Sequence, residues 1–175
     1  MKKMLLTLLF LAGAVSAQEA SPIKAGIMDG SRINEKAKVM RSINKQKDKA
    51  LDGMKADIEK KRKEFEKKES ELKSKQLVMS QEAFAKEAGA FQREVIDFDK
   101  QIAERDQKIK KAFVDTLKKL QEDYLDGIVR NVGKQHGFDV ILYAQTIVII
   151  NKSLDVTDEI IDELDKKIQE LEVKI

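Results

Sequence analysis

The sequence predicts a mostly α-helical protein of the α+β class, in which a long antiparallel coiled-coil hairpin projects from a small β-sheet oligomerisation body. Charged residues make up 37% of the 175 residues and aromatic residues only 5%, which limits the volume of a compact core. The chain has one proline, Pro22, so the rest of the sequence lacks the commonest helix breaker. Abundant Lys, Glu, Ala and Leu is typical of long helices and coiled coils.

Residues 1–17 have the three-part pattern of a secretory signal peptide. Lys2 and Lys3 give a positive start, an apolar run follows, and small residues ending at Ala17 suit cleavage. The run is too short to cross a hydrocarbon core of about 30 Å, which argues against a membrane anchor. We therefore expect an exported protein that is not anchored in a membrane. Removal of Lys2 and Lys3 would lower the formal net charge from +3 to +1.

A seven-residue repeat organises the first half of a long helical stretch over residues 31–135. One seam position is apolar almost throughout, whereas the other changes from methionine near the base to lysine farther out. The first position holds Ala37, Asn44, Leu51, Ile58, Phe65, Leu72 and Met79, and the second holds Met40, Lys47, Met54, Lys61, Lys68 and Lys75.

The second half of the stretch carries a stronger apolar stripe, which recurs at three- and four-residue spacing from Phe84 to Ile128. Ser80, between the two stripes, can cap a new helix. We therefore predict a reversal near 74–81, which gives a hairpin with limbs of about 50 residues, roughly 75 Å long. The alternative is one unbroken helix of about 100 residues that dimerises, because hydrophobic patterning does not fix topology.

The segments 18–30 and 136–175 are predicted to form the β-rich body and a C-terminal helix. Residues 23–29 are β-like, residues 138–142 alternate as a strand does, and Gly133 and Gly137 suit a helix stop before them.

A dense apolar run, residues 147–150, is predicted as a further strand of the body, with residues 144–146 as the connection. Such a run is usually covered on both faces, so we expect it to pack against the arm bases, other subunits or both. An amphipathic helix is predicted over 157–174, with Thr157 or Asp155 as its cap.

Catalytic and metal-binding patterns are missing from the sequence. The chain has no cysteine and one histidine, His136, which lies between glycines and is interpreted as a surface loop residue. Glycine-rich phosphate loops, G-x-S-x-G and H-E-x-x-H do not occur. We therefore expect no enzyme activity, no cofactor and no metal.

Charge is unevenly spread along the chain. Residues 32–78 carry a net +7 and residues 136–175 a net −5. The basic group toward the far end of the first limb is expected to steer acidic clients or anionic surfaces such as phospholipid or lipopolysaccharide, although a solvated helix face explains most such runs. Its members are Lys60, Lys61, Arg62, Lys63, Lys67 and Lys68. The low overall charge argues against nucleic-acid binding.

The C-terminal part of the chain resembles the Skp/OmpH family of periplasmic chaperones. The similarity lies in residues 138–142 and 147–150, which are like that family's paired strands, and in residues 154–161, which are like its apolar-Asp-apolar-Thr-acidic segment. Residues 24–29, followed by Arg32 and Ile33, resemble the first strand of the family. The order of elements also fits, so the resemblance covers nearly the whole chain.

The resemblance implies a homotrimer whose helical arms surround a cavity that holds unfolded outer-membrane proteins without ATP. The apolar arm residues expected to bind such clients are Ile58, Phe65, Leu72, Met79, Phe84, Phe91, Val95 and Phe98. The residues expected to mediate oligomerisation are Ile27, Val140, Leu142, Ile147, Val148, Ile149 and Ile150.

Two other functions remain open from the sequence. A structural or adaptor coiled-coil protein of the cell envelope would bury its seam. A peripheral membrane-surface protein would need a broad apolar face opposite its lysines, and the first limb has only a single stripe.

Overall fold

The computed structural model describes residues 22–149 and 151–175, so the predicted signal peptide at 1–17 lies outside the described residues. A short strand and helix are followed by two long helices, and a second strand and two helices complete the fold. The elements are β1 (Ala25–Met28), α1 (Gly30–Lys36), α2 (Lys38–Lys75), α3 (Gln81–Leu120), a π-helical turn (Gln121–Leu125), α4 (Asp126–His136), β2 (Val140–Tyr143), 3₁₀ turns at Ala144–Thr146 and Lys152–Leu154, and α5 (Thr157–Lys167).

Helices α2 and α3 form an antiparallel hairpin, which we call the arm. The chain turns between Lys75 and Gln81, and the Ser80 side chain accepts a hydrogen bond of 3.3 Å from the amide of Ala83. The predicted capping role of Ser80 is therefore confirmed. With 38 residues, α2 is about 57 Å long at 1.5 Å per residue. The predicted fold class, mostly helical with a small sheet, is confirmed.

The helical stretch has two local irregularities at the root of the arm. Ala37 is extended between α1 and α2, with φ −63° and ψ 134°. The amide of Lys38, left without a partner in its own helix, donates to the Asp165 carboxylate at 2.8 Å. The π-helical turn Gln121–Leu125 lies where α3 passes into α4, and such turns insert a residue and redirect a helix. The helices therefore change direction where the arm leaves the body.

The hydrophobic core lies at the arm root, where the lower ends of α2 and α3 meet α1, α4 and α5. Its largest side chains under 2% exposed include Ile43, Ile109, Ile160 and Leu164, one or more from each of α2, α3 and α5. Helix α4 ends at Gly137, whose φ of 64° is left-handed. Phe138 N–H bonds to the Gly133 carbonyl at 2.8 Å, which completes a Schellman motif and confirms the predicted helix stop.

The sheet has two parallel strands. β1 pairs with β2 from Ala25 opposite Val140 to Met28 opposite Tyr143. The other edge of β1 makes a single bridge from Ile27 to Asp155, and the amide of Val156 donates to the Ile27 carbonyl at 3.0 Å. These pairings connect residues on either side of the whole arm, and they bring the segments before and after it together at the root.

The predicted strand at 147–150 is wrong for the residues that the structure describes there. Ile147, Val148 and Ile149 form no strand, and Ile150 lies outside the described residues. Val148 is 99% exposed and Ile149 88% exposed, so neither has a neighbour on which to pack. A strand gains its stability from cross-strand pairs, and one copy of the chain supplies none at this point.

The predicted C-terminal helix is also too long, because α5 ends at Lys167 and not at residue 174. Ile168 is extended, with φ −153° and ψ 129°. Beyond it, Val173 is buried and Leu171 half-buried, while Glu172 and Lys174 are exposed. This period of two belongs to an extended segment, since a helix would place residues 171 and 173 on different faces.

A hydrogen-bonded cluster around Asp155 joins the two ends of the chain. Its carboxylate accepts hydrogen bonds from the amide and hydroxyl of Thr157, at 2.9 and 2.5 Å, and from the guanidinium of Arg32. Thr157 Oγ1 in turn accepts from the amide of Asp29 at 2.8 Å. The N-cap position of α5 is Val156, so neither predicted residue occupies it, although Asp155 does accept the amide of Thr157, the first residue of α5.

Replacement of Asp155 tests this cluster. Burial raises the pKa of Asp155, but the hydrogen bonds from Thr157 and Arg32 outweigh it and hold the pKa below its ordinary value. Because the pKa of Asp155 is lower in the folded state than in the unfolded state, where it is about 3.9, the charged carboxylate stabilises the fold above that pH. This stabilisation is lost as the pH falls through the folded-state pKa. We expect Asp155→Asn to lower the free energy of unfolding at neutral pH by about 1–3 kcal/mol and to flatten its decline in acid.

Urea unfolding at fixed protein concentration, from about pH 6 to about pH 2, measures both effects. Asp158→Asn is the matched control, because Asp158 is mostly exposed and lies 3.8 Å from Arg32. It should change the free energy by less than about 0.5 kcal/mol. Equal effects of the two substitutions would contradict the assigned role of Asp155.

Gly26 in β1 is required by close packing. A Cβ placed there would lie 2.5 and 2.6 Å from two ring carbons of Phe138. We expect Gly26→Ala to lower the free energy of unfolding by about 1–3 kcal/mol, since the ring must shift within the core. Gly127 in α4 has open space around its Cα, so Gly127→Ala should raise the free energy by about 0.5–1 kcal/mol through helix propensity. Denaturant unfolding of both variants measures these changes. An unchanged free energy of unfolding in Gly26→Ala would contradict the packing argument.

Candidate functional site

The middle of the arm is held by a cluster of three phenylalanines. The ring of Phe65 on α2 lies edge-on between Phe91 and Phe98 of α3, with both pairs of centroids 5.7 Å apart. Edge-to-face pairs of this kind contribute about 0.5–1.5 kcal/mol each beyond area burial. All three rings remain half-exposed. The cluster joins the limbs and is still reachable from outside.

The lysines of the second seam position form ion pairs across the arm. Lys61 and Lys68 both bond to the Glu94 carboxylate, at 2.9 and 2.6 Å, and Lys75 bonds to Glu87 at 2.9 Å. The bonds to Lys68 and Lys61 lower the pKa of Glu94, and the bond to Glu94 raises the pKa of Lys61. These positions thus join the limbs through charge, where the sequence indicated only an incomplete apolar seam.

The remaining arm residues predicted to bind clients are also half-buried. They are Ile58 and Leu72 on α2, Phe84 and Val95 on α3, and Met79 in the turn between the helices. From residue 44 to residue 108, no residue of the arm is fully buried. A hairpin only two helices wide covers each seam residue from one side, and solvent reaches the other sides.

The structure adds apolar residues that the sequence reasoning missed. Ile96 is 57% exposed and Val114 is 61% exposed, both on α3. They lie 18 residues apart, five helical turns, so they share one face of α3. In the sequence, each of these two positions holds an apolar residue that lies outside the main apolar stripe of α3. At the tip, Leu77 and Val78 are exposed in the turn between the helices.

The predicted basic group is partly neutralised within the arm. In addition to Lys61 and Lys68, Arg62 lies 3.4 Å from Glu59, and Lys67 lies 3.9 Å from Glu71. Only the remaining two of the six residues, Lys60 and Lys63, lack an ion pair with any described residue. The group therefore presents less uncompensated positive charge than its sequence indicates.

The predicted oligomerisation residues lie in two places. Ile27 is buried in the core side of β1, whereas Val140 and Leu142 of β2 are partly exposed beside an open strand edge. Ile147 is half-buried, and Val148 and Ile149 are almost fully exposed. An open edge next to exposed aliphatic side chains is typical of a surface that pairs with another chain.

Neither a metal-ligand cluster nor a membrane-spanning helix occurs in the part of the chain that the structure describes. Residues 22–149 and 151–175 contain no group of His, Cys, Asp or Glu side chains arranged to hold a metal. In the same part of the chain, every helix is too short or too polar to span a bilayer.

Comparisons with known proteins agree with the architecture. The model of the outer membrane protein (OmpH-like) family matches residues 24–164. A candidate outer membrane chaperone (OmpH-like) from Caulobacter crescentus CB15 has a similar crystal structure, with a TM-score of 0.78. The two are 16% identical, and the alignment covers 87% of this chain and 90% of that one. At this identity the likeness shows the fold alone.

Among curated proteins, no sequence matches this chain. The family match spans β1, the entire arm, β2 and the first part of α5, which is far more than half of the chain. The resemblance that the sequence indicated is thereby confirmed. The chain belongs to the outer membrane protein (OmpH-like) family.

Proposed function

We propose that this protein is an ATP-independent, non-enzymatic holdase chaperone of the periplasm, which binds unfolded outer-membrane β-barrel proteins in a cavity between the arms of a homotrimer. The observation that carries the proposal is the arm itself, in which every apolar seam residue from 44 to 108 stays partly accessible. Membership of the OmpH-like family supports a chaperone role.

The accessible arm surface fits non-specific holding of unfolded chains. Half-exposed rings at Phe65, Phe91 and Phe98 and the aliphatic side chains of Ile96 and Val114 give apolar contacts spaced over several helical turns. Such scattered contacts suit clients without a fixed shape, because each contact is weak and many are made at once. A purely structural coiled coil would instead gain from burying these residues.

Assembly is supported by what one copy of the body leaves uncovered. The outer edge of β2 is open among the described residues, and Val148 and Ile149, which follow β2 in the chain, are almost fully exposed. Pairing with other copies would cover this surface and set several arms around a common axis. Three copies are proposed from the family resemblance, since the exposed surface alone does not fix their number. Contact of Lys60 and Lys63 with anionic lipid or lipopolysaccharide is a secondary proposal with weaker support, because the neighbouring cations are paired.

Light scattering tests the proposed function directly. The mature protein is measured alone and then with a urea-denatured outer-membrane β-barrel protein diluted into buffer without nucleotide. We expect a trimer mass, and then a soluble complex with aggregation of the barrel protein suppressed. A stable oligomer that leaves the barrel protein to aggregate would overturn the proposal and favour a structural coiled coil.

Substitution of the exposed face of α3 tests the role of the arm. We expect Ile96→Asp/Val114→Asp to weaken binding of the barrel protein by at least about tenfold, since two apolar contacts are lost. Folding should be unaffected because both side chains are exposed. Gln92→Asp/Gln107→Asp adds the same charges at exposed polar positions of α3 and is the matched control. Equal weakening by the two double variants would show that charge, and not loss of apolar surface, is responsible.

A charge at the exposed body surface tests assembly. We expect Ile149→Asp to shift the mass measured by size-exclusion chromatography with light scattering from oligomer to monomer, since an unpaired carboxylate cannot be buried in an interface. Leu77→Asp places the same charge on an equally exposed residue at the arm tip and should leave the mass unchanged. An unaltered oligomer in Ile149→Asp would remove this surface from the interface.

A further inference from the structure

The C-terminal residues 168–175, which we call the strap, leave α5 at the extended residue Ile168 and lie along the root of the arm without regular helix or strand. Val173 is 7% exposed and belongs to the same continuous apolar cluster as Val39 and Ile43 of α2, against which Leu171 also packs. Glu172 and Lys174 between and beyond them are exposed. The strap lies outside the residues 24–164 that match the family, so its role does not follow from the family.

One side chain, Gln46 of α2, binds the strap through its backbone. Gln46 Nε2 donates to the Leu171 carbonyl at 2.9 Å, and Gln46 Oε1 accepts from the Val173 amide at 3.0 Å. The same Nε2 lies 3.3 Å from the hydroxyl of Ser42, one turn earlier on α2, which helps to orient the amide. In a parallel sheet, one residue bonds to the carbonyl and amide that flank a residue of its neighbour. Gln46 therefore acts toward Glu172 as a residue of a neighbouring strand would.

This recognition depends on conformation and pattern more than on particular residues. The amide of Gln46 bonds to backbone groups that every residue except proline offers. The surface of α2 formed by Val39, Ile43 and Gln46, which we call the groove, accepts an apolar side chain on each side of an exposed one. Strands of outer-membrane β-barrels alternate between apolar and polar residues in the same way. An unfolded barrel protein thus carries many segments with the features that the strap presents to this groove.

We propose that the groove beside Gln46 is a binding site for extended, unfolded polypeptide with alternating apolar and polar residues, and that the strap is its intramolecular occupant. The identification of the ligand as a client segment rests on the proposed holdase function. The strap is held at a high effective concentration because it is part of the chain. A client segment therefore enters only by displacing it, which favours clients that offer several such segments over short peptides.

The test uses the full mature chain and a fluorescein-labelled synthetic peptide with the sequence of residues 167–175. In Leu171→Asp/Val173→Asp the strap is released while chain length is kept. We expect fluorescence anisotropy to show peptide binding to this variant at least about tenfold tighter than to the wild-type chain. Adding Gln46→Ala to the released variant should weaken binding about tenfold, whereas adding Gln107→Ala, an exposed glutamine of α3, should not.

A second peptide of the same composition, in which the residues corresponding to Leu171 and Val173 are made adjacent, should bind at least about tenfold more weakly, since the groove binds residues of alternating polarity. The inference is overturned by absence of binding to the folded, released variant, by equal binding of the two peptides, or by binding that ignores Gln46. Any of these results would mean that the strap only stabilises the fold.

If the released variant does not fold, hydrogen exchange in the wild-type chain tests the inference instead. The Val173 amide is hydrogen-bonded to Gln46, so it should exchange slowly in the chain alone and at least about tenfold faster once a denatured barrel protein has formed a soluble complex. A soluble complex with unchanged protection at Val173 would overturn the inference and leave the holdase function standing. Failure to form any complex would overturn the holdase function, while the peptide measurements would still decide whether the groove binds extended chain.

Discussion

Two helices that lie side by side share a single line of contact, and this constraint shapes the whole arm. Along that line the chain places Phe65 against Phe91 and Phe98, and it pairs Lys61 and Lys68 with Glu94. Two further ion pairs, Lys75 with Glu87 and Arg105 with Asp57, also join the limbs. Full burial begins only where α1, α4 and α5 add further layers at the root. The arm is therefore anchored at one end, and its free energy of unfolding must fall toward the tip.

The same constraint explains why charge occupies half of the seam. A half-exposed apolar residue gains only part of its transfer free energy, so a second apolar position far from the root would contribute little. A lysine at that position buries its aliphatic stem along the partner helix and keeps its ammonium group in water beside a carboxylate. The pKa of Glu94 is lowered by Lys68 and Lys61, so Glu94 stays charged at a lower pH than an isolated carboxylate does, and its ion pairs persist with it. The seam thus holds its register without adding exposed apolar surface.

The sequence predicted the features that depend on local periodicity and capping. The heptad pattern and the residues Ser80 and Gly137 gave the hairpin, the start of α3 and the end of α4, since each acts through neighbours in the chain. It failed where the outcome depends on a distant partner. Residues 147–149 have high strand propensity but no described strand beside them, and residues 168–175, which do not continue the helix, bond to Gln46 of α2. The arm surface was predicted in part, because Ile96 and Val114 lie outside the main stripe and only the packed hairpin shows them exposed.

The segments before and after the arm are joined by contacts that no local sequence pattern specifies. β1 and β2 meet although the whole arm separates them, and Arg32, Asp155 and Thr157 join the same region through hydrogen bonds. Closing a loop as long as the arm costs conformational entropy, and the pairing of two strands alone does not offset that cost. The core at the arm root supplies the remainder, and the open edge of β2 leaves further burial to other copies. If those copies assemble as proposed, covering that edge would also fix where each arm leaves the body. Assembly of the body and formation of the space between the arms are then one event, driven by the apolar surface that a single chain leaves exposed.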